Sequence, residues 1–376
     1  MPQPDESAIR AALATVNDPE IHKPITELNM VDGIAIAANG SVDIRLLLTV
    51  PGCPMKEQLT RDVTSAVSRV ADVAAVSVTM GVMSAEQLTA LRQQLRGDVP
   101  ANEIPFAQPG SRTRVYAVAS GKGGVGKSSV TVNVAAALAA KGLSVGVLDA
   151  DIYGFSVPRM LGVTGKPTQV EQMIMPPSAH GVKVISIGMF TPGNTAVVWR
   201  GPMLHRALQQ FLADVFWGDL DVLLMDLPPG TGDIAISVAQ LVPSAELLVV
   251  TTPQLAAREV AERAGSIALQ THQQIVGVVE NMSWLELPDG TRMELFGAGG
   301  GQAVADSLAA STGTKVPLLG QVPIDQQVRE GGDSGAPVII TDPGSPAAMA
   351  LAGVADALAA RQHSLVGRSL GLAPAR

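Results

Sequence analysis

Residues 115–142 read VYAVASGKGGVGKSSVTVNVAAALAAKG, and this stretch decides the fold. A short apolar run, 115–120, leads into a glycine loop, 121–129, and then into an alanine-rich segment of helical composition. The loop satisfies G-x-x-x-x-G-K-[ST] in strand, loop, helix order. Gly121, Gly123, Gly124 and Gly126 let the backbone N–H groups around Val125 curl about phosphate oxygens, and the helix N-terminus adds its positive dipole end. In that frame Lys127 reaches the β- and γ-phosphates, the Ser128 hydroxyl ligates Mg2+, and Ser129 completes the cradle. Gly121, Gly123 and Gly126 also match the G-x-G-x-x-G of dinucleotide sites, with Asp149 where a ribose-binding acid falls. Lys127 and Ser128 decide between the two, because a triphosphate with Mg2+ uses such a pair at the helix start and a dinucleotide does not.

Six further apolar runs follow: LSVGVLD (143–149), VKVISIG (182–188), DVLLMD (221–226), AELLVVT (245–251), IVGVVE (275–280) and VPLLGQV (316–322). Continuously apolar runs separated by helical stretches predict a mainly parallel sheet flanked by helices, an α/β P-loop fold. Two acidic stations fall where open α/β sheets bind ligands, beyond the C-terminal strand ends. Asp226 ends its run before LPPGTGD and is placed to hold Mg2+ through water. Asp149-Ala150-Asp151 puts two more carboxylates beside the loop. Asp151 is the expected water-positioning residue and Asp149 the expected outer partner of Mg2+. Lys122 has no phosphate to cradle in its own chain; it suits a cation that crosses a dimer interface to a second nucleotide, as an arginine finger does.

Upstream, a helix is expected at 7–16, a strand at 31–37, an Asn39-Gly40 hairpin turn into a strand at 42–50, a helix at 55–70 and a strand at 73–80. Residues 1–96 thus read as a small α+β domain. GDVPANEIPFAQPGSRT, 97–113, reads as an exposed linker. The ATPase-type domain is expected over 114–365, with a tail at 366–376.

The chain has 376 residues, 47% of them hydrophobic, with 26 Lys+Arg against 34 Asp+Glu and one cysteine. The formal net charge of −8 disfavours nucleic acid and anionic lipid as partners. A lone cysteine and the acidic start MPQPDESAIR point to the cytoplasm. The segment 346–360 lacks the basic face of a membrane-binding helix, so no membrane partner is expected. The five histidines are scattered singly, which leaves no Ser-His-Asp or histidine-metal constellation.

SGKGGVGKSS, DADIYG (149–154), DLPPGTGD (226–233), ENMSW (280–284) and FGAGGG (296–301) together resemble the Mrp/ApbC family of iron-sulfur cluster carrier ATPases. NDPE (17–20), LTVPGCPMKEQL (48–59) and VSV (76–78) resemble the iron-sulfur assembly domain that precedes the ATPase in many members. The resemblance implies an ATP- and Mg2+-dependent homodimer in which Lys122 acts in trans. It further implies an iron-sulfur cluster as cargo, apo iron-sulfur proteins or assembly factors as partners, and adenine recognition by Asn281 and Asp325. One departure stands out. Members usually continue ENMS into a C-P-x-C motif, whereas Leu287 and Gly290 occupy the cysteine places here. A dimer offers two thiolates, both Cys53, where a 4Fe-4S cluster takes four. The alternatives are a nucleotide-switch scaffold without its own cluster, or a partition- or Min-type spatial organiser.

Both Lys127 and Asp151 are read as loop residues, so each replacement by Ala is expected to leave the circular dichroism spectrum unchanged. Phosphate release should fall by at least about a hundredfold in either variant.

Overall fold

The computed structural model describes residues 4–19, 21, 23–49, 55–96, 103–108, 110–152, 154–190, 201–230, 233–254, 263, 265–266 and 268–361. Cys53, and with it the question of its ligands, lies outside them, as does the tail. The chain divides into two units, one of residues 1–100 with 167–176, the other of 101–166 with 177–376.

In the first unit, α1 (Glu6–Leu13) is capped by Asp5, whose carboxylate accepts from the Ser7 amide. Strands β1 (Val31–Ile36) and β2 (Ser41–Leu48) form an antiparallel hairpin turned at Asn39-Gly40, where Gly40 takes φ +80°. The crossover helix α2 (Lys56–Val67) returns the chain to β3 (Ala75–Val82), parallel to β2. Ile9, Leu13, Ile25, Leu28, Ile44, Leu46, Val63 and Val67 are fully buried. A further helix, α3 (Ala85–Arg96), was not expected. Its start is a capping box: the Gln87 amide donates to Ser84 Oγ and the Ser84 amide to Gln87 Oε1, which satisfies two otherwise orphaned donors. This unit also takes in a short hairpin from far along the chain. Its antiparallel strands are β6 (Thr168–Val170) and β7 (Met173–Met175). Glu171 between them pairs with Arg92 of α3 at 3.0 Å and accepts a hydrogen bond from Thr89.

The second unit is built on the seven expected runs. They are β4 (Arg114–Ala119), β5 (Val145–Asp149), β9 (Val182–Ser186), β10 (Val222–Asp226), β11 (Glu246–Thr251), β12 (Ile275–Glu286) and β14 (Leu318–Ile324). All seven pair parallel, in the order β14-β12-β11-β4-β10-β5-β9. Two short antiparallel strands trim the edges: β8 (Ser178–Ala179) on β9 and β13 (Arg292–Met293) on β12. The fold is an α/β P-loop sheet with helices on its faces. Among those helices, α4 (Lys127–Ala140) is buried along most of its length, because its small alanines let it lie against both the sheet and α11 (Pro346–Ala359).

Part of the expected exposed linker is anchored instead. Phe106 is buried, packs edge-on to Trp217 with ring centroids 6.4 Å apart, and its carbonyl accepts from Ser244. Proline and glycine content concealed that one aromatic anchor. No helix among the described residues is long and apolar enough to cross a membrane.

Trp217 and Leu220 also close over β5 at Gly146, where an added Cβ would lie 2.7–2.8 Å from their side chains. Gly146→Ala should therefore destabilise the protein by about 1–3 kcal/mol through overpacking, read as a lower urea midpoint.

Candidate functional site

The site follows from strand register. Asp226 at the end of β10 lies level with Asp149 of β5 on one side and Val118 of β4 on the other. Two carboxylates and the start of the glycine loop are thereby set side by side at one sheet edge. Gly124 and Gly126 adopt φ +76° and +77°, a left-handed conformation that favours glycine. Gly126 is also approached so closely by Asn281 that a Cβ would lie 2.2 Å from its Nδ2. Asn281 Nδ2 donates to the Val125 carbonyl at 2.9 Å, and the Gly230 amide donates to the Ser120 carbonyl at 2.8 Å. The loop is thus tied to both motifs read from the sequence, ENMSW and DLPPGTGD.

Asp226 is the hub. Lys127 Nζ pairs with its Oδ2 at 2.7 Å, Ser128 Oγ donates to the same oxygen at 2.5 Å, and Thr131 Oγ1 lies 2.8 Å from Oδ1. The ion pair is dry, with side-chain exposures of 6% for Lys127 and 1% for Asp226. Lys127 is thus the buried first residue of α4 rather than an exposed loop residue. Its replacement by Ala would leave Asp226 buried and unpaired, at a cost of about 3 kcal/mol or more. The expectation that this change spares the fold is corrected on that ground.

Asp151 lines a cavity of about 230 Å³ with residues 123–129 and Pro229, and its Oδ1 accepts from the Gly154 amide. A second cavity of about 670 Å³ adjoins it, sharing Gly126, Ser129, Ser156 and Met160 and bounded by Asn281, Met282 and Asp325. Asp325 also caps α9 (Gln326–Ser334), accepting from the Gln327 amide at 2.8 Å. Lys122 stands apart from both cavities, its Nζ hydrogen-bonded to Gln254 within its own chain, and the Gly121 carbonyl accepts from Arg263 at 2.9 Å.

Thr131 lies outside the motifs, and Glu280, though it opens ENMSW, is given no role in the sequence reading. Thr131 sits one helical turn after Ser128, on the face that meets Asp226, a spacing that could have marked it. Glu280 is buried, accepting from the Gly301 amide and from Gln321 Nε2 at 2.7 Å. Where the resemblance places cysteines, the chain closes a hairpin. The Leu287 amide donates to the Thr291 carbonyl, the Gly290 amide to the Leu287 carbonyl, and the Thr291 amide to Asp289. That last bond holds the Asp289 carboxyl below its ordinary value. Among the described residues no group of three or more His, Cys, Asp or Glu is arranged to hold a metal ion. The Ser128 hydroxyl, with Asp226 and Asp149 behind it, is an all-oxygen set. It suits Mg2+, which draws its remaining ligands from phosphate and water.

Residues 111–359 match the family model of the NUBPL iron-transfer P-loop NTPases. The chain belongs to that family, the Mrp/ApbC group. Residues 6–80 match a second model, described as iron-sulfur cluster assembly protein. A relative from Mycobacterium tuberculosis named iron-sulfur cluster carrier protein is 65% identical over 370 residues, 98% of this chain and 97% of its own. One of the same name from Deinococcus radiodurans is 44% identical, covering 94% of each chain. A nucleotide-binding protein from Archaeoglobus fulgidus, solved with ADP, superposes with a TM-score of 0.52 at 35% identity, over 61% of this chain and 90% of its own. The family assignment agrees with the P-loop chemistry read from residues 121–129.

Asp149 is fully buried. Burial, reinforced by the charge of Asp226, pushes its carboxyl up to about 7, against the hydrogen bonds from the Asp151 amide and Ser186. Between the unfolded value of 3.8 and about 7 the folded chain holds a proton that the unfolded chain has lost, so stability falls as pH rises through that window. Asp149→Asn should be more stable than the parent at pH 8, by about 2 kcal/mol. Below the unfolded value, at about pH 3, it should show no gain, in urea titrations without Mg2+.

Proposed function

We propose that the protein is a Mg2+-dependent ATPase that binds iron-sulfur clusters and transfers them to apoproteins, working as a homodimer. The observation that carries the ATPase part is the hub on Asp226, where the loop lysine, the loop serine and a strand-end carboxylate meet beside a phosphate-sized cavity. Lys127 is held by Asp226 until phosphate oxygens compete for its ammonium, so binding exchanges one anionic partner for another. Backbone amides of residues 123–128 receive the remaining phosphate charge, and Asp151 orients the attacking water from the cavity wall. Ser128, with Asp226 and Asp149 behind it, would hold Mg2+, which would supply positive charge against the phosphates. Lys122, free of any phosphate in its own chain, supplies a cation to the partner subunit's nucleotide.

Cluster transfer is supported by the iron-transfer family model, by the assembly-protein model over residues 6–80, and by relatives named as carriers. The closed hairpin at residues 285–293 offers no thiolate, which leaves Cys53 as the single cysteine for cargo. Transient cargo on few ligands suits delivery better than storage. The relevant test is anaerobic reconstitution with iron and sulfide, read as iron per dimer and charge-transfer absorbance, alongside phosphate release from ATP. A cluster in the parent that is lost in Cys53→Ala supports the carrier reading. ATP hydrolysis without a cluster in either protein overturns it in favour of a nucleotide-switch scaffold. Absence of hydrolysis overturns the ATPase reading.

A further inference from the structure

The larger cavity has a wall with no task in phosphate chemistry. Leu295 and Phe296 line it beside Asn281 and Asp325 while remaining 51% and 38% exposed. Two adjacent large apolar side chains left open inside a concave, mainly apolar site mark a surface that a ligand covers.

The path of this wall is fixed at both ends. On its N-terminal side the β12–β13 hairpin closes, with the Arg292 guanidinium 4.2 Å over the Trp284 ring. On its C-terminal side the chain enters α8 (Gly300–Thr312), and the Gly301 amide at that helix start is bonded to the carboxylate of Glu280. Neither Gly300 nor Gly301 has room for a side chain. A Cβ on Gly300 would lie 2.5 Å from the Pro253 carbonyl oxygen, and one on Gly301 2.6 Å from Glu280 Cβ. Gly297 and Gly299 turn the backbone at φ +85° and +76°. Glu280 immediately precedes Asn281, which touches the phosphate loop through Val125. The apolar wall and the phosphate loop are therefore indexed from the same two residues of β12. An aromatic ring that lines the same cavity as Gly126 and Ser129 of the glycine loop has the chemistry to take a planar heterocycle on its face, with polar groups at Asn281 and Asp325 for its edge.

We propose that Phe296, with Leu295, is the stacking wall for the base of the bound nucleotide and the residue that sets affinity for its nucleoside half, with Glu280 as the positioning residue that holds the wall in place. The inference rests on the nucleotide-binding reading of the preceding section.

The test is calorimetric titration of the full-length protein with two probes, ADP and inorganic tripolyphosphate. Phe296→Ala is expected to weaken ADP about tenfold, within the range measured for base–aromatic stacking, and to leave tripolyphosphate unchanged. Phe296→Trp retains ADP affinity and adds fluorescence that ADP quenches and tripolyphosphate does not, against the parent's own tryptophans as control. Glu280→Gln shows the same split as Phe296→Ala, a loss for ADP alone. Unchanged ADP affinity in Phe296→Ala, or equal losses for both probes, overturns the stacking wall while leaving nucleotide binding intact. A parent protein that binds neither probe overturns the nucleotide reading, and this inference with it.

Discussion

One buried ion pair organises the second unit. Lys127 and Asp226 are both shut away from water, and neither could be so placed alone, since desolvating a single charge costs several kcal/mol that only a well-made partner offsets. The pair joins the first residue of α4 to the last residue of β10. It therefore sets the distance between the helix that follows the glycine loop and the neighbouring strand, and Ser128 and Thr131 add bonds to the same carboxylate. In the proposed function the same contact serves both fold and site, because a triphosphate would offer the lysine a comparable negative charge in place of Asp226.

The electrostatics around that pair are asymmetric. Asp149 lies level with Asp226 on the next strand but has no lysine of its own; it is answered by two amides and the Ser186 hydroxyl. Burial is the main reason that Asp149 holds its proton to about pH 7, and the neighbouring charge of Asp226 adds to it, so the carboxylate without a cation yields. In the proposed function a divalent cation would reverse that logic by supplying the missing positive charge, and proton and metal would then compete for one carboxylate.

The parallel sheet was legible because strands buried on both faces must be mainly apolar, and the seven runs are, with Lys183 and Gln321 falling on the outer strands β9 and β14. The phosphate loop was legible because glycine, lysine and serine each have a distinct physical task at fixed spacing. What escaped was held by backbone or by distant partners. The role of Glu280 is to accept from the amide of Gly301, and an amide leaves no trace in sequence. The burial of Lys127 depends on Asp226, nearly a hundred residues later. Helix α3 did leave traces, in the Ser84 and Gln87 box and in Leu88, Leu91 and Leu95 at steps of three and four, and they went unread. The edge strands β8 and β13 are too short for any pattern to register.

The hairpin β6–β7 changes what counts as a module in this chain. Residues 167–176 belong to the first unit although they are encoded in the middle of the second, and Val170, Met173 and Met175 among them are buried. The backbone consequently crosses between units three times rather than once. A fragment ended at residue 100 would lack two strands of its own unit, and one begun at residue 101 would carry apolar residues with no home. The two halves match two separate family models, yet they cannot be exchanged like beads on a string.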